Sequence, residues 1–147
     1  MKLSTKARYG ARVMVGLAIA YPGQSLSVKR MARVEHLSAK YLEQIMAALK
    51  TAGLVTASRG VHGGYALATP PSLIRLSDIF RAIEGDSQII ECVTDDASCP
   101  LREGCPTRSV WTEMNEAISG ILENTTLQDL VERKAQVGRV AELMYHI

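Results

Sequence analysis

The sequence predicts a mainly α-helical chain with one small β-hairpin, and three observations predict it. Apolar residues recur at helical spacing over most of the 147 residues, and serines (Ser4, Ser27, Ser38) stand where such periods begin. A single stretch, around Gly60, Gly63 and Gly64, reads instead as two short strands joined by a turn. A chain of this length fits one domain, or one small domain with an appended element.

The first helix follows Ser4, whose side chain can accept a hydrogen bond from a first-turn amide. Ala7, Ala11, Met14 and Ala18 form one stripe with Val13, Leu17 and Tyr21 beside it. That helix is therefore apolar over much of its circumference and belongs at the centre of its domain. Pro22-Gly23 stops it. Ser27 caps a short helix over 28–34, and after a turn at Glu35-His36-Leu37 a third helix runs from Ser38 to Gly53. Tyr41, Leu42, Ile45, Met46 and Leu49 make its buried stripe, while Lys40, Glu43, Gln44 and Ala47 fall on the opposite face.

Residues 54–58 and 65–68 read as strands separated by Arg59-Gly60-Val61-His62-Gly63-Gly64, whose glycines allow positive φ and the close approach a hairpin tip needs to lie on a phosphate backbone. Two helices joined by a short turn and followed by a hairpin make a winged helix-turn-helix over 1–70. After Pro70-Pro71, Leu76–Glu84 is a short amphipathic helix ended by Gly85, and residues 86–106 lack sustained periodicity. From Thr107 the period returns: Val110, Trp111, Met114, Ile118, Ile121 and Leu122 make an apolar seam ending near Asn124, the pattern of a helix that packs on another helix. Thr125 or Thr126 caps a last helix over 127–145, with Leu130, Val131 and Val137 inward. The expected division is a winged unit over 1–70, a linker helix and cysteine loop over 71–106, and a dimerisation helix with a C-terminal helix over 107–147.

The net charge of +2 conceals an uneven distribution. Residues 1–60 hold ten Lys or Arg against two acids, Glu35 and Glu43, a balance of +8; residues 61–147 hold seven against thirteen, a balance of −6. A basic half points to a polyanion, most simply nucleic acid. The outward face of the 38–53 helix is polar at its N-terminal end, where a recognition helix meets base edges. Arg59 at the hairpin tip can enter a minor groove, where narrow A·T-rich segments favour a guanidinium. Lys29 and His62 complete the expected DNA-facing set of Lys29, Ser38, Lys40, Tyr41, Glu43, Gln44, Arg59 and His62.

Other classes are excluded on composition and pattern. No apolar stretch reaches the ~18 residues of a membrane span, and the basic start precedes no cleavage site of the A-x-A type, so an unprocessed protein with no membrane partner is expected. No phosphate loop, no Ser/His/Asp set and no paired carboxylates are present, so neither an enzyme nor a small-molecule substrate is expected. Three cysteines are too few for a disulfide scaffold and fit a reducing cytoplasm.

Cys92, Cys99 and Cys105 lie with six residues between the first two and five between the others, in a polar, loop-like sequence. Buried structural cysteines sit more naturally on apolar helix faces, so this cluster asks for a ligand. Zinc favours a C-x2-C knuckle with four protein ligands, which is missing; a disulfide leaves one thiol over unless it is a redox switch; an iron–sulfur cluster suits soft sulfur donors and tolerates a different fourth ligand. All three remain open on spacing alone.

The start MKLSTKARYGARVM, the helix SAKYLEQIMAALKTAGLV, the hairpin RGVHGGYALA, the loop C-x6-CPLREGC and the following TRSVWTEMNEAISGILENTTLQDL together resemble the bacterial winged-helix iron–sulfur transcription regulators typified by IscR. The resemblance covers nearly the whole chain. It implies that Ser38, Lys40, Tyr41, Glu43 and Gln44 lie at a major groove, that Arg59 reaches a minor groove, and that Cys92, Cys99 and Cys105 hold a cluster, 2Fe–2S or 4Fe–4S. It also implies that an acid at Glu43 disfavours some sites until the cluster state reshapes the surface. The chain departs from the pattern at the fourth ligand. Where relatives carry a histidine three residues past the last cysteine, or an aspartate near the N-terminus, this sequence has Arg108 and Arg8, which stay protonated and cannot ligate a metal. Glu91, Asp95, Asp96, Glu103, a partner-chain residue, water or a small thiol are the remaining fourth donors.

The function expected is a homodimeric regulator that binds an operator in double-stranded DNA, with a cluster near the base of the dimerisation helix setting its affinity. Its rivals are a metal-free thiol-switch regulator and, from another class, a module that binds protein rather than DNA.

Overall fold

Ser4 accepts a hydrogen bond from the Ala7 amide at 3.0 Å and starts helix α1 (Thr5–Ala20), on which the other elements gather. The computed structural model describes residues 4–85, 91–94 and 99–145. Ala7, Val13, Met14, Leu17 and Ala18 are buried, and helices α2, α3, α4 and α7 and strand β2 all pack on α1. The central place expected from its nearly all-round apolar surface is therefore observed.

Helix α2 (Val28–Glu35) starts at Ser27, which accepts the Arg30 amide, and ends at His36 in the left-handed region, φ 56°. Helix α3 (Ala39–Thr51) starts at Ser38, which accepts the Tyr41 amide at 3.2 Å. Each serine cap satisfies an amide that the helix itself leaves unpaired, worth ~1 kcal/mol. Strands β1 (Val55–Ser58) and β2 (Gly64–Leu67) pair antiparallel, with Val55 opposite Leu67 and Ser58 opposite Gly64.

A third piece of strand, which the sequence did not suggest, joins this hairpin. Leu26 and Tyr65 exchange two backbone hydrogen bonds of 2.9 Å, tying the α1–α2 connection to the wing. The glycines owe their role to this. A Cβ at Gly64 would collide with the Leu26 carbonyl, and one at Gly63 with the carbonyl of Ser58. The close approach seen at Gly63 and Gly64 is to the protein's own backbone, and Gly60, φ 106°, supplies a turn that needs positive φ.

After a 3-10 turn (Pro71–Leu73), α4 (Leu76–Glu84) is capped by the Asp78 carboxylate, which accepts the Arg75 amide at 2.9 Å. Gly10 of α1 faces α4, where a Cβ would meet the flexible end of Ile83. The segment expected to be loop contains one helical turn, α5 (Glu91–Thr94), which carries Cys92. Helix α6 (Arg108–Asn124) follows, then α7 (Leu127–Tyr145). Of the two threonines considered, Thr126 is the one that reads as the α7 cap: its amide and hydroxyl both donate to Asp129 at 2.8 Å, and Asp129 N–H donates back at 3.2 Å. These bonds, the backbone one first, hold the Asp129 carboxyl below the usual carboxylate range.

The start of α7 is latched to the segment just before α4 by a second two-bond bridge. Leu127 N–H donates to the Ile74 carbonyl and Leu76 N–H to the Thr125 carbonyl, both at 2.9 Å. Leu127 is fully buried in the core with Ile74 and Ile79, and Leu130 and Val131 pack beside it. Val137 is a correction: it is 69% exposed rather than inward. The first turns of α7 lie on the core, and residues 132–139 are all exposed. Among the described residues no helix is long and apolar enough to cross a membrane.

Replacing Leu127 with Ala is expected to destabilise the fold by ~2–5 kcal/mol, the cost of a cavity at a site gripped from both sides by backbone hydrogen bonds. Denaturant unfolding of the two proteins measures it.

Candidate DNA interface and cysteine segment

Helix α3 buries Leu42, Ile45, Met46 and Leu49, each at 0% exposure, and this stripe fixes what the other side presents. Lys40, Glu43, Gln44 and Ala47 are all exposed, with the cap Ser38 at the N-terminal end. Four helical positions on one polar face, led by a helix N-terminus, suit the floor of a major groove and its flanking phosphates. Lys29 is exposed on the first turn of α2, and so are Arg30 and Arg33 of the same helix. Sequence reasoning counted those two arginines in the charge balance without placing them.

Tyr41 differs from its neighbours. It is half-buried and packs against the core. Its ring meets Tyr9 of α1 edge-to-face, centroids 6.2 Å apart and planes at 90°. The Arg12 guanidinium lies 5.7 Å from the Tyr9 ring centroid on the same helix. Its Nε comes within 2.8 Å of Oε2 of Glu35, the last residue of α2, as a charge contact rather than an aligned hydrogen bond. Tyr9, Arg12 and Glu35 were not singled out from the sequence; the spacing of Tyr9 and Arg12, one turn apart on α1, was the available signal.

The wing tip presents Arg59 and His62, both exposed, with Val61 between them at 98% exposure. Ser25 Oγ donates to the His62 carbonyl at 3.2 Å, so the tip is tied to the α1–α2 connection as well as through Tyr65. The wing is thus anchored at two points to the segment that precedes the helix pair.

The three cysteines are free and half-buried: Cys92 on α5, Cys99 between α5 and α6, Cys105 just before α6. Arg108 Nη1 donates to the Cys92 carbonyl at 2.8 Å, joining α5 to the first turn of α6. Thr107 Oγ1 lies 3.4 Å from Cys105 Sγ and accepts the Trp111 indole N–H at 3.1 Å. Since the indole can only donate, the threonine proton is free to point at the sulfur. The Thr107 hydroxyl first, then the Thr107 amide and the amide and charge of Arg108, hold the Cys105 thiol below its ordinary range against the opposing effect of burial.

Free, partly accessible thiols, one of them biased toward thiolate, match an iron–sulfur cluster in donor chemistry. Among the described residues, however, no three Cys, His, Asp or Glu side chains converge where they could hold a metal ion. Holding a cluster would require the three sulfurs to be drawn together. Of the fourth donors considered, Glu103 is exposed, while Asp95, Asp96 and the side chain of Glu91 lie outside the described residues. His36 closes α2, His62 sits in the wing, and His146 lies outside the described residues.

On α6 the expected seam is uncovered. Val110, Trp111, Met114 and Ile121 are exposed, Ile121 by 64%, and Ile118 and Leu122 are half-buried.

Comparison with known proteins agrees with this architecture. The chain is 38% identical over 130 residues to the HTH-type transcriptional regulator CymR of Bacillus subtilis, covering 88% of this chain and 89% of that one. The structure of the B. subtilis CymR, described as its global cysteine regulator, superposes with a TM-score of 0.79 at 36% identity, covering 90% of this chain and 98% of that chain. The T. potens IscR structure superposes with a TM-score of 0.74 at 35% identity, covering 91% of this chain and 88% of that chain. Residues 3–133 match the Rrf2 family model, described as iron-dependent transcriptional regulator. By sequence, by winged-helix fold and by agreement with the resemblance to IscR-type regulators, this chain belongs to the Rrf2 family of DNA-binding transcriptional regulators.

Proposed function

We propose that this regulator reads an operator as a homodimer and that the state of Cys92, Cys99 and Cys105 sets its affinity. The observation that carries the DNA reading is the polar face of α3, with Ser38, Lys40, Glu43 and Gln44 exposed, beside a wing whose tip offers Arg59 and His62. The first turns of α3 enter the major groove, Arg59 enters the adjacent minor groove, and Lys29 meets phosphate. Tyr41 contributes from the edge of that face, since its ring is engaged with Tyr9. Glu43, an acid on a face that meets an anion, restricts which sites are accepted.

The dimer reading rests on the α6 seam. An apolar row left exposed on a 17-residue helix is what a second copy of the same helix would cover. A two-fold pair would place the two α3 helices on half-sites roughly 34–36 Å apart. The winged unit is then the reader, and the part that follows it the sensor and dimer element.

For the sensor, the three cysteines would hold an iron–sulfur cluster, which supplies a centre whose assembly, oxidation or loss changes the loop between α4 and α6. The match to a family model described as iron-dependent and the superposition on an IscR support this reading. The chain's own residues do the coupling. Arg108 bridges the Cys92 carbonyl to α6, so movement of the cysteine segment reaches the dimer helix directly. Coupling of this kind is typically worth ~1–3 kcal/mol. A second reading, a thiol switch without metal, has its own support in the lowered Cys105 thiol, the unconverged cysteines and the likeness to a regulator described as a global cysteine regulator.

Anaerobic reconstitution with iron and sulfide separates the two. A cluster gives visible charge-transfer absorption that Cys92→Ala abolishes, together with a change in operator affinity. A colourless protein whose DNA binding responds to thiol oxidation alone selects the switch. Arg59→Ala is expected to weaken binding roughly tenfold on operators with A·T-rich flanks, the size of one lost base-pair contact, and less on G·C flanks; titration of both flank types by fluorescence anisotropy measures this. Cys105 is expected to react with iodoacetamide at a lower pH than an ordinary thiol, because a depressed pKa leaves more thiolate at neutrality. Thr107→Val should move that profile upward, read by mass spectrometry of the labelled peptide.

A further inference from the structure

Only two acids lie in the basic first sixty residues, and they are placed in opposite ways. Glu43 stands exposed on the α3 face. Glu35 turns inward, 12% exposed at its side chain, against Arg12 at 2.8 Å. Arg12 in turn covers Tyr9 at 5.7 Å, and Tyr9 meets Tyr41 edge-on at 6.2 Å. The contacts run from the end of α2, across α1, to the first turn of α3.

We propose that Glu35, Arg12 and Tyr9 form a strut that positions the N-terminal turn of α3 for sequence recognition, with Glu35 as a positioning residue that touches no DNA. The inference deepens the proposed reading of DNA by α3 and rests on it.

The physical argument lies in the direction of each contact. The apolar stripe of α3 holds the helix down on the core, but it begins only at Leu42; in the first turn Ala39 and Lys40 are exposed, so Tyr41 is the side chain that ties that turn to the rest of the protein. An edge-to-face ring pair is directional, and a guanidinium over the ring holds the ring in turn. The carboxylate closes the chain. It lies at the turn between the two helices and anchors a guanidinium that would otherwise be free to sweep. Loss of that anchor would loosen Tyr41 and, with it, Lys40, Glu43 and Gln44 on the adjoining face. A displacement of this sort weakens geometry-dependent base contacts while leaving charge attraction to phosphates in place.

Glu35→Gln gives a test in which the two explanations have opposite signs. Removing an acid from a basic surface strengthens DNA binding if Glu35 is only a surface charge; releasing the strut weakens recognition. The probes are a duplex of about 30 bp selected from a random pool by the wild-type protein and an unselected duplex of equal length, titrated on the same preparations so that any loss of folded protein cancels in the ratio of affinities. We expect Glu35→Gln to lower the selected-to-unselected ratio roughly tenfold, the size of one mismatched base pair, with an unchanged salt slope. Tyr9→Leu should do the same, and Tyr9→Phe, which keeps the ring, should behave as wild type. An equal or higher ratio for Glu35→Gln overturns the strut. Gln44→Ala run in parallel distinguishes the failures: if it lowers the ratio while Glu35→Gln does not, the α3 reading stands and the strut falls. If Gln44→Ala leaves the ratio unchanged, the α3 reading fails and the strut fails with it.

Discussion

The burial of α1 on most of its circumference is the constraint from which the rest of the molecule follows. The solvent edge of α1 is narrow, formed by Thr5, Arg8, Arg12 and Ile19, so the neighbouring elements must cover the rest. Helices α2 and α3 cover one part, α4 and α7 another, and β2 reaches it as well. At Gly10 the end of the Ile83 side chain of α4 comes up against α1. The helix pair and the start of α7 thus share this one support.

Two small backbone bridges convert that packing into defined geometry. The Leu26–Tyr65 bridge ties the wing to the segment before α2, and the Arg75–Thr126 bridge ties α7 to the segment before α4. Each consists of a pair of main-chain hydrogen bonds, which specify register and direction in a way that side-chain burial does not. In the proposed regulator the first keeps wing and α3 at a constant separation on DNA, and the second carries movement of the C-terminal half to α4 and α1.

Charge and chemistry are separated along the same lines. Six of the ten cations of the first sixty residues, Lys29, Arg30, Arg33, Lys40, Lys50 and Arg59, stand exposed on α2, α3 and the wing, while one of the two acids is withdrawn against Arg12. The cysteine segment lies in the acidic part, where it does not compete for phosphate. Cys105 is connected through the Thr107 hydroxyl to Trp111, a member of the uncovered α6 seam. A chemical change at that sulfur is therefore two hydrogen bonds away from the surface proposed to pair with a second copy.

Most of the fold was legible in the residues alone. Serine caps at Ser4, Ser27 and Ser38, the Pro22-Gly23 stop, the α4 span and the α6 period are local signals, and local signals act over one or two turns in which the chain has few alternatives. The outward face of α3 was legible for the same reason, since burying Leu42, Ile45, Met46 and Leu49 forces Lys40, Glu43 and Gln44 outward. What depended on distant parts of the chain was not. The bridge from Leu26 to Tyr65 spans 39 positions, so nothing in either segment announces it, nor that Gly64 has the Leu26 carbonyl against it. Val137 has an apolar side chain at a helical period, yet whether it is covered depends on how far α7 runs past the core. Tyr41 belonged to both the buried stripe and the reading face until Tyr9 arrived from another helix to claim its ring. Residue type and spacing decide which face of a helix is apolar, but only the meeting of helices decides what each face touches.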